Sequence, residues 1–506
     1  MVVARLAMVP ADAAVSGGFL HDSGYIGIVA RNLLAGRGYV NDANWLLFLN
    51  PEQLPMYFHN ANPGYPTATA GVMAITGFDA ARSMLVVSII GAALIAIGAW
   101  GIVRHVVPDR RSWVPVLAGA AALLFPANWR LSLVALPDAL ATGLVMCLFA
   151  VLLHARAGWH WVMAGLLFGI AWLVRSTATV ALPAIAIWSL ARYGWSTSIR
   201  RGLVVALTAG VVMSPWLVHT ARVRGSPFAS DAPYYLLLRY HAERAGRDED
   251  QFYRSLEPPP ATGTVMRQDP AGVLRSAATG LPIVLYRIGA GLAEWDKVMA
   301  LMLFAALVMG AAQLNRSAWR PELAAAGLVW LMLVGTLAIR GNSIEIRYFS
   351  VGSTLLAILL VAGLTAASDR RRWWTLAPLA IYLLVGAIPQ DIGMLRSLPR
   401  TNPDHAALRE AMVSTARDMP EGTRAVTPVP YFFTYHTGRG AMSPAYPGKA
   451  ELLQVMERYQ GSVVLLPTDS LDYYYPGSPA SLTPELRVAG PHGRLTLLQK
   501  VAASPP

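Results

Sequence analysis

Long apolar runs, broken at short intervals by arginine, dominate the first four-fifths of the chain. Runs long enough, or nearly long enough, to cross a bilayer occupy residues 81–103, 112–127, 137–154, 159–174, 176–192, 202–219, 296–314, 322–339, 349–367 and 373–389. The pattern predicts about ten spanning helices. Arginines gather in every second connection: Arg104, Arg110 and Arg111; Arg156; Arg192, Arg200 and Arg201; Arg316 and Arg320; Arg370, Arg371 and Arg372. Positively charged short loops stay cytoplasmic, which places 1–80, 128–136, the Arg175 junction, 220–295, 340–348 and the tail beyond about 390 on the opposite side.

Three stretches depart from this rhythm. In "FLHDSGYIGIVARNLLAGRGY" the apolar positions Ile26, Val29, Ala30 and Leu33 recur at helical spacing, predicting an amphipathic helix with Asp22 at its start and one face for a bilayer or a protein core. Residues 220–295 mix aromatics, charges and the run "EPPP"; a mobile cover with interfacial helices and a partly disordered connector both fit. From about 391 to 506 the periodicity shortens. A small soluble α/β domain is expected there, with helices near His405–Arg417 and Ala450–Tyr459 and strands in "RAVTPV", "SVVLLP" and "RLTLLQKV". The fold class is thus an all-α polytopic membrane domain over 1–390 followed by an extracytoplasmic α/β domain over 391–506. No internal repeat is evident. The segment "MVVARLAMVP" is too short to span, so this topology requires either a spanning helix upstream of the first residue or insertion with the N-terminus outside.

Composition sharpens the class. Of 506 residues, 55% are hydrophobic and 14% charged, and mean hydropathy is positive, which a soluble enzyme would rarely show. The net charge of +12 comes from arginines sited where topology wants them, so it does not call for a nucleic-acid partner. A single cysteine, Cys147, inside an apolar run rules out an intramolecular disulfide or a cysteine metal site.

The candidate chemistry lies on the outer side. Asp22 opens the amphipathic helix, and Asp138 in "VALPDALATG" follows Pro137 at the mouth of a spanning helix. Helix capping explains each alone, because a carboxylate there accepts backbone N–H groups and complements the helix dipole. Two carboxylates facing one cavity would instead permit proton abstraction or hold a hard divalent ion. Arg82, Arg130 and Arg175 lie at outer helix ends, and "RGNSIEIRYF" brings Glu345, Arg347 and Tyr348 to another. Guanidinium groups at that depth bind phosphate bidentately or snorkel to lipid headgroups. His21, His59 and His219 lack the spacing of a compact zinc site, and no glycine-rich phosphate loop is present.

Six stretches in order, "DSGYIGIVARNLLAGRGY", "HNANPGYP", "LPDAL", "GIAWLVRSTATVALPA", "SPWLVHTARVRGSPF" and "EIRYFSVGSTLLAILLVAGL", together resemble the GT-C superfamily of integral membrane glycosyltransferases. The likeness is to the bacterial branch related to protein O-mannosyltransferases and the lipid A aminoarabinose transferase. It covers residues 20–367. The resemblance implies an inverting transfer of sugar from a polyprenyl phosphate to an acceptor hydroxyl at the outer face of the cytoplasmic membrane. Asp22 matches the catalytic base and Asp138 the second acidic position. Arg347 and Tyr348 match the "RY" near the donor phosphate, with His219 and Arg222 the further phosphate-side candidates; His59, Pro63, Tyr65 and Pro66 match a loop bordering the site, which Arg82 also flanks. Two departures stand out. The family's Arg-Asn pair after "PW" is here His219 and Thr220, and Ser23 stands where mannosyltransferases often carry Glu.

The implied partners are a polyprenyl-phosphate-linked sugar, membrane lipid, and a lipid, glycan or protein acceptor. The resemblance fixes neither sugar nor acceptor, and relatives differ in their use of a divalent metal. Two other classes compete with the transferase. A lipid or polysaccharide transporter should show repeated halves and mid-membrane polar groups, whereas here charges stay at the edges. A non-catalytic envelope scaffold would act through its C-terminal domain.

Overall fold

The computed structural model describes residues 22–47, 51–57, 62–107, 113–229, 237–256, 260–292, 320–340, 347, 350–367, 402–445, 448–467, 486–492 and 495–500. The expected spans at 296–314 and 373–389 fall outside these residues, as do His59, Glu345 and Tyr348.

The chain opens with α1 (Asp22–Leu34), followed by the short strands β1 (Val40–Asn41), β2 (Ala43–Asn44) and β3 (Met56–Tyr57). A helical array comes next: α2 (Gly64–Thr76), α3 (Ala80–Val106), α4 (Trp113–Leu124), α5 (Pro126–Leu131), α6 (Asp138–Leu153) and α7 (Gly158–Val174). After a 3₁₀ turn over Ser176–Val180 come α8 (Ala181–Tyr193) and α9 (Trp195–Arg224). Two of these helices, α3 and α9, are long and apolar enough to cross a membrane, and α4, α6 and α7 are shorter apolar helices. Punctuation explains the shorter lengths. Pro126 begins a separate six-residue helix after Phe125, and Gly194, at φ 75°, alone separates α8 from α9. That backbone angle is open to glycine at little cost.

The tightest helix pair is α3 with α6. A methyl group added at Gly91 would fall on the backbone of Leu140, one at Gly98 on Met146, and one at Gly143 on the Gly91 carbonyl. Small residues on facing stripes let two backbones meet, and in lipid such close packing and the dispersion attraction it brings replace the missing hydrophobic drive. The approach fixes the start of α6, and Asp138 with it, against α3.

The 237–292 part of the expected cover is helical: α10 (Leu238–Ala245), α11 (Glu249–Tyr253), α12 (Thr262–Gln268) and α13 (Pro270–Leu292). Asp248 caps α11 in a reciprocal box with Gln251. Leu238, Ala242, Phe252 and Tyr253 form a buried cluster with Leu46 of the first loop, so this segment has a core. Next come α14 (Arg320–Arg340), packed against α8 and α13, and α15 (Ser350–Ala367).

The remaining elements are α16 (Pro403–Asp418), β4 (Arg424–Val426), α17 (Pro430–Thr437), β5 (Ala441–Met442), α18 (Lys449–Arg458), β6 (Gly461–Pro467), β7 (Leu486–His492) and β8 (Leu495–Lys500). Their sheet has the order β2-β5-β4-β6-β8-β7, parallel from β2 through β6 and antiparallel beyond. Its first strand is foreign to the C-terminal region: β2 pairs Ala43 with Ala441 and Asn44 with Met442. Arg424 donates to the Leu54 carbonyl at 2.7 Å and Tyr459 to that of Pro51 at 2.6 Å. The first loop is therefore built into the sheet.

Candidate functional site

Of the two coverings expected for the apolar face of α1, a bilayer or a protein core, the structure supplies the second. Ile26, Ile28, Val29 and Ala30 are all essentially buried, and so are Ser23, Gly24 and Gly27, so no face is left for a bilayer. The helix runs between α2 and α3 on one side and α17 on the other. Tyr431 of α17 is fully buried and meets Tyr25 edge-on at 5.4 Å, while its hydroxyl takes the Trp45 backbone N–H at 3.5 Å. Arg31 stacks over Tyr435 at 4.2 Å, and the Tyr435 hydroxyl accepts the Ala81 N–H at 3.3 Å. Burial, reinforced by the charge of Asp22 one turn earlier, holds the Tyr25 phenol well above its ordinary range; burial does the same for Tyr431. Both rings remain neutral fillers that fix where α1 begins.

At that beginning the Asp22 carboxylate accepts a hydrogen bond from Arg347 Nη2 at 2.6 Å. Asp22 is 35% exposed in its side chain and Arg347 13%, so the carboxylate faces open space while the guanidinium is held inside. A second pair lies nearby. Asp138 Oδ1 accepts from Arg175 Nη1, with the carboxylate side chain only 1% exposed, and its Oδ2 has no hydrogen-bond partner. The cap position before it is Pro137, which offers no side-chain bond, so Asp138 serves an ion pair rather than the helix end.

The Asp138–Arg175 pair and the Arg347 half of the other pair meet in one small cavity. Asp138, Arg175 and Arg347 line it together with Thr142, Thr177 and Ser350; Thr142 and Ser350 share a hydroxyl hydrogen bond of 2.6 Å. The residues come from α6, the junction after α7, the start of α15 and the turn bearing Arg347. Two guanidinium groups and the Asp138 carboxylate thus line a niche at one end of the helices, and Asp22 is tied to it through Arg347. Short charge-assisted bonds of this kind hold side chains in defined positions.

Of the sequence candidates, Asp138 and Arg347 line this cavity, and Asp22 is joined to it by its bond with Arg347. Others are placed elsewhere. Tyr65 is buried, donating to the Met84 carbonyl at 2.8 Å beside Ser88, which makes it a helix-packing residue. Arg82 lies 3.6 Å from Asp79, whose carboxylate caps α3. His219 stacks on Trp216 and abuts Tyr57, and neither it nor Arg222 lines the cavity among the described residues. Arg175, visible in the sequence only as an arginine at a helix end, proves to be the partner of Asp138. Tyr25 and Tyr431 had no sequence signal beyond their aromatic character.

As a donor set for a hard cation the arrangement fits poorly. Asp22 and Asp138 each commit an oxygen to a guanidinium, and among the described residues no group of three or more His, Cys, Asp or Glu is positioned to hold a metal.

The profile of the dolichyl-phosphate-mannose-protein mannosyltransferase family matches residues 60–219, a stretch that includes Asp138 and Arg175 but neither Asp22 nor Arg347. Curated protein sequences give no match. Among solved structures, ArnT from Cupriavidus metallidurans bound to undecaprenyl phosphate is similar at 13% identity and a TM-score of 0.57, over 100% of this chain and 97% of that one. The Archaeoglobus fulgidus oligosaccharyltransferase in complex with zinc and sulfate aligns at 12% identity and a TM-score of 0.61, over 96% of this chain and 71% of that one. The archaeal oligosaccharyltransferase AglB from the same organism, in complex with an inhibitory peptide and a dolichol-phosphate, aligns at 12% and 0.60, over 94% and 70%. At these identities the likeness is one of fold.

Proposed function

We propose that this chain, which has the fold of the GT-C superfamily of integral membrane glycosyltransferases, is an inverting transferase that moves a sugar from a polyprenyl phosphate to an acceptor hydroxyl at the outer face of the cytoplasmic membrane. The observation carrying this reading is the Asp22–Arg347 ion pair at the edge of a cavity that Arg347 shares with Asp138 and Arg175. The phosphate-bearing lipids bound to the ArnT and AglB structures support the donor class. The distribution of arginines supports the orientation of the membrane domain, with the niche outside.

The chemistry follows from the pairing. A donor phosphate entering the niche competes with Asp22 for the Arg347 guanidinium, and bidentate binding to the phosphate favours the exchange. Losing its partner leaves Asp22 as a partly exposed carboxylate beside the sugar. The acceptor oxygen then attacks the anomeric carbon while its proton passes to Asp22; the bond from that carbon to the phosphate oxygen breaks, and its electron pair stays on the polyprenyl phosphate. Arg347 and Arg175 stabilise the charge that grows on the leaving phosphate. One displacement inverts the anomeric centre. Asp138 holds Arg175 in place, so its role is positioning.

Asp22→Asn retains size while removing the base, so transfer from a polyprenyl-phosphate sugar should fall by about 10²–10⁴-fold. Turnover within a few-fold of the unaltered protein would eliminate Asp22 as the base.

A further inference from the structure

A second cavity, of about 120 Å³, lies at the other end of the same helices and is lined by apolar side chains with one exception. Among the described residues, α6 supplies Phe149 and Leu152, α8 Ile185, α14 Val329 and α15 Ile358; the exception is Glu322. Glu322 Oε1 accepts from Trp188 Nε1 at 3.2 Å, whereas Oε2 is buried and has no hydrogen-bond partner. An apolar lining gives a water few of the several polar partners that would hold it there. A buried carboxyl oxygen left without a donor is costly.

The surroundings define what would satisfy it. Glu322 lies in the first turn of α14, next to Arg320 and on the side where Arg156 and Arg192 end their helices, the side that charge bias assigns to the cytoplasm. From Glu322 to Val329 the cavity follows α14 inward for about 10 Å, at 1.5 Å per residue. A ligand must therefore bring a hydrogen-bond-donating cation at the cytoplasmic interface and an aliphatic body pointing to the bilayer centre. We infer that this cavity binds an ammonium-headed phospholipid of the cytoplasmic leaflet, its ammonium on Glu322 and part of an acyl chain among the α6, α14 and α15 side chains. A donor lipid anchored at the opposite face would present only its apolar tail end here, which leaves the carboxylate unpaired. This site is separate from the polar niche and does not depend on the transferase reading.

The test is lipid retention by the full-length purified protein in detergent, measured by native mass spectrometry. Dioleoyl phosphatidylethanolamine is compared with dioleoyl phosphatidylglycerol and dioleoyl phosphatidylcholine; all three share their acyl chains, and only the first has ammonium N–H donors. Selective retention of phosphatidylethanolamine is expected. Glu322→Gln, which keeps the contact to Trp188, should weaken that retention about tenfold or more, as loss of one charge-assisted hydrogen bond predicts. Val329→Phe, two helical turns along α14 from Glu322, which fills the inner part of the cavity, should weaken it as well. Equal retention of the three lipids by the unaltered protein would overturn the inference, and needs no variant. So would displacement of the bound phospholipid by undecaprenyl phosphate, because the cavity would then belong to the donor's tail.

Discussion

Replacing Arg175 by methionine tests the reading of the polar niche most directly. The substitution keeps an unbranched apolar stem and deletes the guanidinium, leaving Asp138 with neither oxygen bonded in a side chain that is 1% exposed. Removing one partner of a buried pair costs about 3–5 kcal/mol, because the remaining charge stays desolvated. Arg175 is 19% exposed, so some water reaches the vacated position and the lower half of that range is the better expectation. The reverse change, Asp138→Leu, should be milder, since the stranded guanidinium is the partner that can still reach solvent. The double substitution removes both charges and should recover much of the loss, ending within about 1–2 kcal/mol of the original. Thermal unfolding of the purified protein in detergent reads this as a cycle: the largest fall in Tm for Arg175→Met, a smaller one for Asp138→Leu, and a double variant more stable than the first single. Additive losses, or an Arg175→Met protein that melts with the original, would refute the claim that this pair is a buried, mutually dependent unit.

Two further outcomes follow from the same structure. Tyr431→Ala empties a fully buried site against Tyr25 and should cost about 3–5 kcal/mol, as large aromatic truncations do, and lower kcat by loosening α1, whereas Tyr431→Phe should be nearly silent; Tm and sugar-transfer kinetics on both variants separate the two. Burial lowers the pKa of His241, which stacks on Phe252 in the core of the 237–256 segment. The unfolded chain therefore binds the proton first: the stability His241 contributes is fully present above the unfolded value near 6.5 and is lost as pH falls through the lower folded value, an acid sensitivity that His241→Phe should reduce in unfolding scans.

Much of the helical pattern was legible along the chain. Unbroken apolar runs at 81–103 and 202–219 announce α3 and α9 because a helix in lipid must satisfy its backbone internally, whereas the expected run at 112–127 is cut by a new helix that begins at Pro126. The helix at 403–418 and the strand at 461–467 follow from their own periodicity. Asp22, Asp138 and Arg347 could be nominated from residue type and from their places at helix boundaries.

What the sequence could not determine is who meets whom. Arg175 joins Asp138 from 37 residues away, and Arg347 joins Asp22 across 325, through packing that no local pattern encodes. The strand at 43–44 finds its neighbours nearly four hundred residues later, and that pairing, with Tyr431 behind Tyr25, gives the α1 face a protein core where its pattern allowed a bilayer as well. Periodicity reports which faces are apolar. Only the tertiary fold decides what covers them, because burial and charge pairing are properties of the space between segments.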